Sequence, residues 1–329
     1  MIITRTPLRL SFFGGGTDYP DHYLQHGGQT LGVAIDKYSY ISLNPLARLF
    51  DYEIRVSYSR TELVAGPDAI QHPAVRECLR FTGIDRGIEI HYVGDLPART
   101  GLGSSSSFTV ALLHALHAFK GEYVNQEQLA REACHVEQGL IGERVGVQDQ
   151  YTCAHGGLLH LRMSTSGEIG VQRVPLPAQR LGELRTHLML VYTGMRRVAH
   201  EILEEQLDRT RQGVLVEDLR LVGNLVDQGL EVLTDGGAIA RFGELLDAAW
   251  RAKQRLSSKV TSSRINAIYQ RARTAGAIGG KLVGAGAGGF LLLFVPPACR
   301  EGVMHALPEL HSVSFDFDHE GSRLLFYHP

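Results

Sequence analysis

Apolar positions along the chain follow two rhythms, one of period two and one near 3.6. Over residues 2–10 and 32–43 Ile, Val, Leu, Thr and Tyr dominate, which predicts two strands, the first ended by Gly14-Gly15-Gly16. Strand signal returns over 52–58 and 88–93, with a short helix between them over 73–81. Residues 104–119 set Phe108, Leu112, Ala115, Leu116 and Phe119 on one face behind a run of serines, the pattern of an amphipathic helix with a polar start. A second helix is predicted over 126–140. Residues 156–161 and 170–174, joined by a polar stretch, read as a hairpin.

Over 175–184 the pattern loosens, and a strand over 188–193 follows, so a division into domains 1–180 and 181–329 is expected. Charged amphipathic helices are predicted over 197–211, 216–233, 238–256 and 263–275, the last with Ile265, Ile268, Tyr269 and Ala272 on one face. An apolar strand over 290–295 and closing strands over 313–317 and 323–327 complete the pattern. Strand clusters with helices to one side imply an α+β class in both halves. No period of 20 to 50 residues recurs, which excludes a solenoid.

Composition narrows the class. The 329 residues carry 33 Lys+Arg against 35 Asp+Glu, too balanced for a nucleic-acid arm or a polybasic membrane surface, and no apolar run is long enough to span a bilayer. Cys78, Cys134, Cys153 and Cys299 are scattered without zinc or disulfide spacing, so a reducing, cytoplasmic setting is expected. Glycine stands out: the chain has 37, against about 23 at average usage.

The glycines gather in three stretches. Pro97-Ala98-Arg99-Thr100-Gly101-Leu102-Gly103-Ser104-Ser105-Ser106-Ser107 runs straight into the helix over 104–119. Bare backbone, a helix N-terminus and four hydroxyls suit a polyphosphate. Pro7-Leu8-Arg9-Leu10-Ser11-Phe12-Phe13-Gly14-Gly15-Gly16-Thr17-Asp18 puts a cation on a strand and a hydroxyl and carboxylate after a tight turn, a set suited to a polyol. The third, Gly284 to Gly289, satisfies G-x-G-x-x-G in letters but is expected to follow a helix and open a strand, the reverse of the fingerprint's context, so a dinucleotide fold is excluded. Nor is there a Walker loop: Ala275 and Leu282 occupy the positions that a Gly and a Ser/Thr should hold around Gly280-Lys281. Two carboxylates, Glu137 and Asp149, supply the minimum for phosphoryl transfer, a hard metal ligand and a group to orient or deprotonate a hydroxyl.

In this order, Pro-x-Arg…Gly-Gly-Gly-Thr-Asp, Gly-Leu-Gly-Ser-Ser-Ser-Ser, Gly146-Val147-Gln148-Asp149-Gln150 and Lys281-Leu-x-Gly-Ala-Gly-x-Gly-Gly resemble the GHMP small-molecule kinase superfamily. The wording of the first motif, with Tyr192-Thr193-Gly194 and Arg197, most resembles the heptose 7-phosphate kinase branch and the related fucokinase domain. Galactokinases carry Glu-His where Gly15 and Gly16 stand, which argues against galactose. The resemblance implies an N-terminal domain like ribosomal protein S5 domain 2, a ferredoxin-like C-terminal domain and a site between them.

It further implies ATP and Mg2+ as cofactors, with Pro97, Gly101, Leu102, Gly103, Ser104, Ser105, Ser106 and Ser107 around the ATP phosphates. Ser105 with Glu137 would hold the metal, Glu143 being the rival of Glu137. Asp149 would be the base, and Arg9 the cation that keeps it ionised. Gly15, Gly16, Thr17, Asp18, Gly286 and Gly288 would meet the sugar, and Arg99, Arg196 and Arg197 are the cations available for a phosphorylated one. The implied reaction is phosphorylation of the anomeric hydroxyl of D-glycero-D-manno-heptose 7-phosphate to the 1,7-bisphosphate. A kinase of free L-fucose or a sensor on the same fold are the alternatives. The partner is a sugar or sugar phosphate, no nucleic acid or membrane is implied, and a homodimer is left open.

Overall fold

The computed structural model describes residues 1–47, 49–98, 100–195 and 199–328. Strand β1 (Ile2–Phe13) runs three residues past its predicted end, because residues 6–13 are buried without interruption between two layers. A strand covered on both faces reads as a continuous apolar run rather than an alternation. It pairs with β2 (Gly28–Pro45), whose two halves take different partners on the far side. The first sheet continues through β3 (Ile54–Ser57), β4 (Thr61–Val64), which the sequence did not announce, β5 (Ile88–Gly94), β6 (Leu158–Met163) and β7 (Ile169–Arg173). Residues 39–45 of β2 pair with β5, while residues 28–33 pair with β6, the first strand of the predicted hairpin.

The second sheet has the order β11-β8-β10-β9, built from β8 (Leu188–Tyr192), β9 (Gly279–Leu282), β10 (Phe290–Phe294) and β11 (His311–Val313). The closing strand expected over 313–317 is thus shorter and earlier; Phe317 makes only an isolated bridge to Ile35 of the first sheet. From there the chain crosses back, and β12 (Arg323–Tyr327) pairs with β1, Ile2 facing Tyr327. The last strand therefore lies in the first sheet, across the division expected at residue 180.

The helices are α1 (Pro20–His26), α2 (Pro73–Thr82), α3 (Ser104–Phe119), α4 (Gln126–Cys134), α5 (Gln148–His155), α6 (Ala178–His187), α7 (Ala199–Arg211), α8 (Val216–Thr234), α9 (Ala240–Leu256), α10 (Ser263–Thr274) and α11 (Arg300–Ala306). Three depart from expectation in ways that matter. The helix predicted over 126–140 ends as α-helix at Cys134 and widens into a π-helical turn, His135–Leu140. The loosened stretch before β8 is α6, and the segment that carries Asp149 is α5.

One core lies between the first sheet and α2, α3 and α4, with Ile41, Ile90, Leu112 and Leu116 among its buried residues. A second joins the halves: Leu8, Leu10, Phe12 and Phe13 of β1 pack on Phe242 and Leu246 of α9 and Phe294 of β10. The Phe242 ring sits edge-on to Phe12 and Phe13, with centroids 5.3 and 5.0 Å away. Burying each such side chain contributes roughly 1.5–3 kcal/mol. A third core holds Trp250, Ile265 and Tyr269 against the outer side of the second sheet. β1 is thus fixed from both sides where Arg9 leaves it.

Candidate active site

Gly101 (φ 93°) and Gly103 (φ 72°) turn the chain into α3 through conformations that a side chain disfavours. Space is also lacking: a Cβ on Gly101 would lie 2.5 Å from the Val283 carbonyl, and one on Gly103 3.0 Å from Arg9 Cγ. The first N–H groups of an α-helix have no intrahelical partner, so the start of α3 offers donors where the glycines open the backbone. The four serines divide. Ser107 donates to the Thr6 carbonyl (3.0 Å), Ser106 donates to Glu137, Ser104 is buried and Ser105 is exposed. Leu102 accepts the Arg9 backbone N–H (2.9 Å), and Pro97 is exposed at the beginning of the loop, its carbonyl taken by the Thr100 hydroxyl.

Arg9 grips Asp149 with a fork. Its Nε lies 2.7 Å from Oδ1 and its Nη2 2.6 Å from Oδ2, while Nη1 donates to the Gly101 carbonyl at 2.7 Å. Burial alone would lower the Arg9 pKa, but the Asp149 carboxylate and its hydrogen bonds raise it overall, so the guanidinium stays charged. Arg9 is almost fully enclosed, whereas the Asp149 side chain keeps 25 % of its surface open. A carboxylate oriented from behind and open in front can accept a proton from an incoming hydroxyl.

The turn after β1 is held from inside. The Thr17 hydroxyl sits between the carbonyls of Gly14 and Gln29 (2.8 and 2.9 Å) and accepts the Gln29 N–H. Asp18 Oδ1 accepts the Gly16 N–H (2.9 Å), and its Oδ2 accepts the Gln148 side-chain amide (3.0 Å). Burial pushes the Asp18 carboxyl up, against the pull of those N–H groups. A Cβ on Gly146 would sit 1.9 Å from Asp18 Oδ2, so the chain can bring Gln148 and Asp149 this close only with glycine there. Thr17 and Asp18, expected at the sugar, therefore spend hydrogen bonds on holding the turn and tying it to Gln29 and Gln148. Gly15 and Gly16 have polar neighbours: the Ser11 hydroxyl and the Gln148 amide near Gly15, the Gln206 amide of α7 near Gly16. Ser11 Oγ is buried without a partner.

Glu137 lies in the π-helical turn, 1 % exposed. Such turns often bring a side chain to a functional site. Ser106 and the Gln150 amide both donate to its Oε2 (2.9 and 2.5 Å), the Thr109 hydroxyl also lies near enough to favour the charged carboxylate, and Oε1 is buried without a hydrogen bond of good geometry. Burial pushes its carboxyl up to about 7. An orphaned buried carboxylate oxygen beside serine hydroxyls fits a hard cation. Magnesium takes few protein ligands and completes its shell with water and phosphates; among the described residues no cluster of three His, Cys, Asp or Glu side chains is found. The hydroxyl that meets Glu137 is Ser106, not Ser105. Glu143 lies three residues past the same turn, where its N–H bonds the Glu137 carbonyl (2.8 Å).

The third glycine stretch joins β9 to β10, so a strand precedes it as well as follows it. A Cβ on Gly286 would meet the Val260 carbonyl at 2.7 Å, on Gly288 the Met195 carbonyl at 2.7 Å and on Gly289 the Thr100 carbonyl at 2.2 Å. The Phe290 N–H donates to Thr100 (3.2 Å). The stretch thus braces the glycine loop before α3 with backbone. Arg99, Arg196 and Arg197 lie outside the described residues.

Sequence reasoning quoted Ser11 and Lys281 within motifs without giving either a role, and did not single out Gln206. Lys281, on β9, is 5 % exposed and donates to the Phe12 carbonyl at 2.8 Å.

The arrangement has known counterparts. The model of the GHMP kinases N terminal domain matches residues 69–157, and that of the GHMP kinases C terminal matches residues 230–311. A D-glycero-alpha-D-manno-heptose 7-phosphate kinase of Campylobacter jejuni is 28% identical over 96% of both chains. A bifunctional fucokinase/GDP-fucose pyrophosphorylase of Arabidopsis thaliana is 27% identical over 93% of this chain and 31% of that protein. A crystal structure of a D-glycero-D-manno-heptose 1-phosphate kinase from Bacteriodes thetaiotaomicron superposes with a TM-score of 0.80 at 20% identity, over 100% of both chains. That structural likeness carries the fold. A glycine loop leading into a helix, a forked carboxylate and two matched halves agree, and the chain belongs to the GHMP kinases, phosphotransferases that take an alcohol group as acceptor.

Proposed function

We propose that the protein transfers the γ-phosphoryl group of ATP to the anomeric hydroxyl of D-glycero-D-manno-heptose 7-phosphate, giving the 1,7-bisphosphate. The observation that carries this reading is the Arg9 fork on Asp149, a carboxylate with 25 % of its side chain open beside a glycine loop at a helix N-terminus. The 28% identical heptose 7-phosphate kinase supports the choice of sugar.

In this reading the loop from Gly101 to Ser107 binds the phosphates through backbone N–H groups and hydroxyls. Glu137 Oε1, with the hydroxyls of Ser105 and Ser106, would hold magnesium. Bound there, the ion neutralises charge on the nucleotide phosphates. Asp149 takes the proton of the anomeric hydroxyl, whose oxygen bonds to the γ-phosphorus as the bond to the β-phosphate oxygen breaks and ADP departs. Arg9 keeps Asp149 ionised and aimed. Asp18 and Thr17 shape the turn, so that Gly15, Gly16, Gln148 and Gln206 face the sugar. Residues 1–180 would carry the phosphate loop and sugar turn, and 181–329 the bracing glycines.

A free-sugar kinase is the second reading, favoured by the fucokinase relatives at 27% and 26% identity. ADP release from Mg-ATP over a panel of free and phosphorylated heptoses, hexoses and L-fucose separates the two. Heptose 7-phosphate should be preferred over free heptose by at least about tenfold in kcat/KM. Equal use of the free sugar would overturn the phosphorylated-substrate assignment.

A further inference from the structure

Lys281 is the buried cation that the reaction just described leaves unused. It stands on β9, in the second sheet, and reaches into the first, where its ammonium donates to the carbonyl of Phe12, two residues before the glycine turn. Among the described residues Phe12 is its one hydrogen-bond partner. Enclosing an ammonium against a single neutral carbonyl is costly, and a methionine of similar length would fill the space without that cost.

The neighbouring charges give a reason. Three enclosed ionisable groups from separate elements, Arg9 on β1, Asp18 in the turn and Lys281 on β9, gather behind the part-open Asp149 of α5. Arg9 and Asp149 neutralise one another through the fork. Asp18 is left with N–H donors but no guanidinium, and Lys281 is the remaining positive charge. From α9, packed against β9, come Asp247, engaged by Tyr269 and Arg251, and Lys253, which donates to the carbonyls of Leu282 and Gly284. β10 presents only apolar side chains.

We propose that Lys281 is a positioning residue for phosphoryl transfer: its ammonium pins the Phe12 carbonyl to the second sheet and counters the charge of Asp18, holding the turn that backs Gln148 and Asp149. The proposal rests on the phosphotransferase reading of this site. Burial, with Arg9 adding to it and Asp18 opposing, pulls the Lys281 pKa down to about 7. The free enzyme should therefore lose the pinning charge as pH rises through neutrality.

The test compares wild type, Lys281→Met and Lys281→Arg by coupled ADP release across about pH 6 to 9, on the acceptor that wild type uses best. Lys281→Met is expected to lower kcat/KM for the acceptor by roughly 10- to 100-fold, the cost of a misplaced reacting group, with the KM for ATP within about threefold. Wild-type kcat/KM should fall on the alkaline side. Lys281→Arg, whose charge persists, should recover most of the loss and shift that fall upward by about one pH unit or more. A Lys281→Met enzyme within about twofold of wild type, or an alkaline fall that both variants share with wild type, overturns the proposal. If neither variant folds, a wild-type profile flat over this range overturns it, and an alkaline fall supports it. Wild type inactive on every acceptor would instead overturn the kinase reading, and this proposal with it.

Discussion

Asp149 carries the sharpest prediction at the scale of single residues. Because Arg9 fixes both its oxygens, Asp149→Asn keeps the shape of the carboxylate but cannot take a proton, and it places an amide against a guanidinium. Turnover should fall by roughly 10²–10⁴, while a nucleotide titration should find ATP affinity largely kept. Wild-type turnover in this variant would remove Asp149 from the proton transfer. Arg9 and Asp149 were legible in the sequence because they stand in motifs whose neighbours are unusual glycines. Ser11, Gln206 and Lys281 were not. Ser11 and Lys281 stand inside glycine-rich motifs but were given no role of their own, and Gln206 lies in an ordinary amphipathic helix; only the fold shows that Ser11 is buried without a partner, that Gln206 lies beside Gly16 and that Lys281 meets Phe12 at a separation of 269 residues. The serine run was legible as a run, but which hydroxyl meets Glu137 depends on the rotation of the first turn of α3, which composition does not encode.

Helices and strands were read well where one face was apolar, as in α3, whose predicted bounds coincide with the observed ones. They were read poorly where length was short or hydrogen bonding irregular. α5 is eight residues long with no strong apolar face, and β4 has four residues with alternate positions exposed. The π-helical turn at His135–Leu140 keeps a helical sequence pattern, so only its bonding distinguishes it.

The link between α3 and α4 can be tested at this scale. His117, at the end of α3, places one ring nitrogen 2.7 Å from Glu132 of α4 and the other 2.9 Å from Glu122. The hydrogen bond to Glu132, opposed by burial and helped by Glu122, raises its pKa above the ordinary 6.5. The folded state then binds its proton more tightly than the unfolded one. The stabilisation is fully present below about pH 6.5 and is lost as pH rises through the folded value. His117→Asn should therefore cost about 1–2 kcal/mol near pH 6 and much less near pH 9, measured by urea unfolding at both. An equal loss at the two values would mean the imidazole is not charged in the fold.

Across the whole molecule, the glycine loop before α3, the proposed phosphate loop, is shared property. Its Thr100 carbonyl accepts Phe290 of the second sheet, and Gly289 (φ 90°) passes so close that a Cβ would lie 2.2 Å from that carbonyl. Gly289→Ala should lose at least about 2 kcal/mol, from strain at positive φ plus the displaced contact, seen as a lower urea midpoint. An unchanged midpoint would show that the loop is not braced there. The excess of glycine was legible as something to explain, and the structure divides the explanation: some glycines bend the chain, others let two backbones touch.

Arg9 ties the same loop to the other substrate's side of the molecule, since one guanidinium bonds both Asp149 and the Gly101 carbonyl. In the proposed reaction, a nucleotide that settled Gly101 would also settle the carboxylate proposed to receive the acceptor's proton, and the free energy of one binding event would be partly spent in preparing the other. Reciprocity then requires that the acceptor raise nucleotide affinity by the same factor as the nucleotide raises the acceptor's, typically 5- to 150-fold for coupled sites. Calorimetric titration of a non-hydrolysable ATP analogue with and without the sugar phosphate would measure that factor. Arg9→Met should bring it towards one, and two sites that remain independent in the wild type would show that the guanidinium transmits nothing.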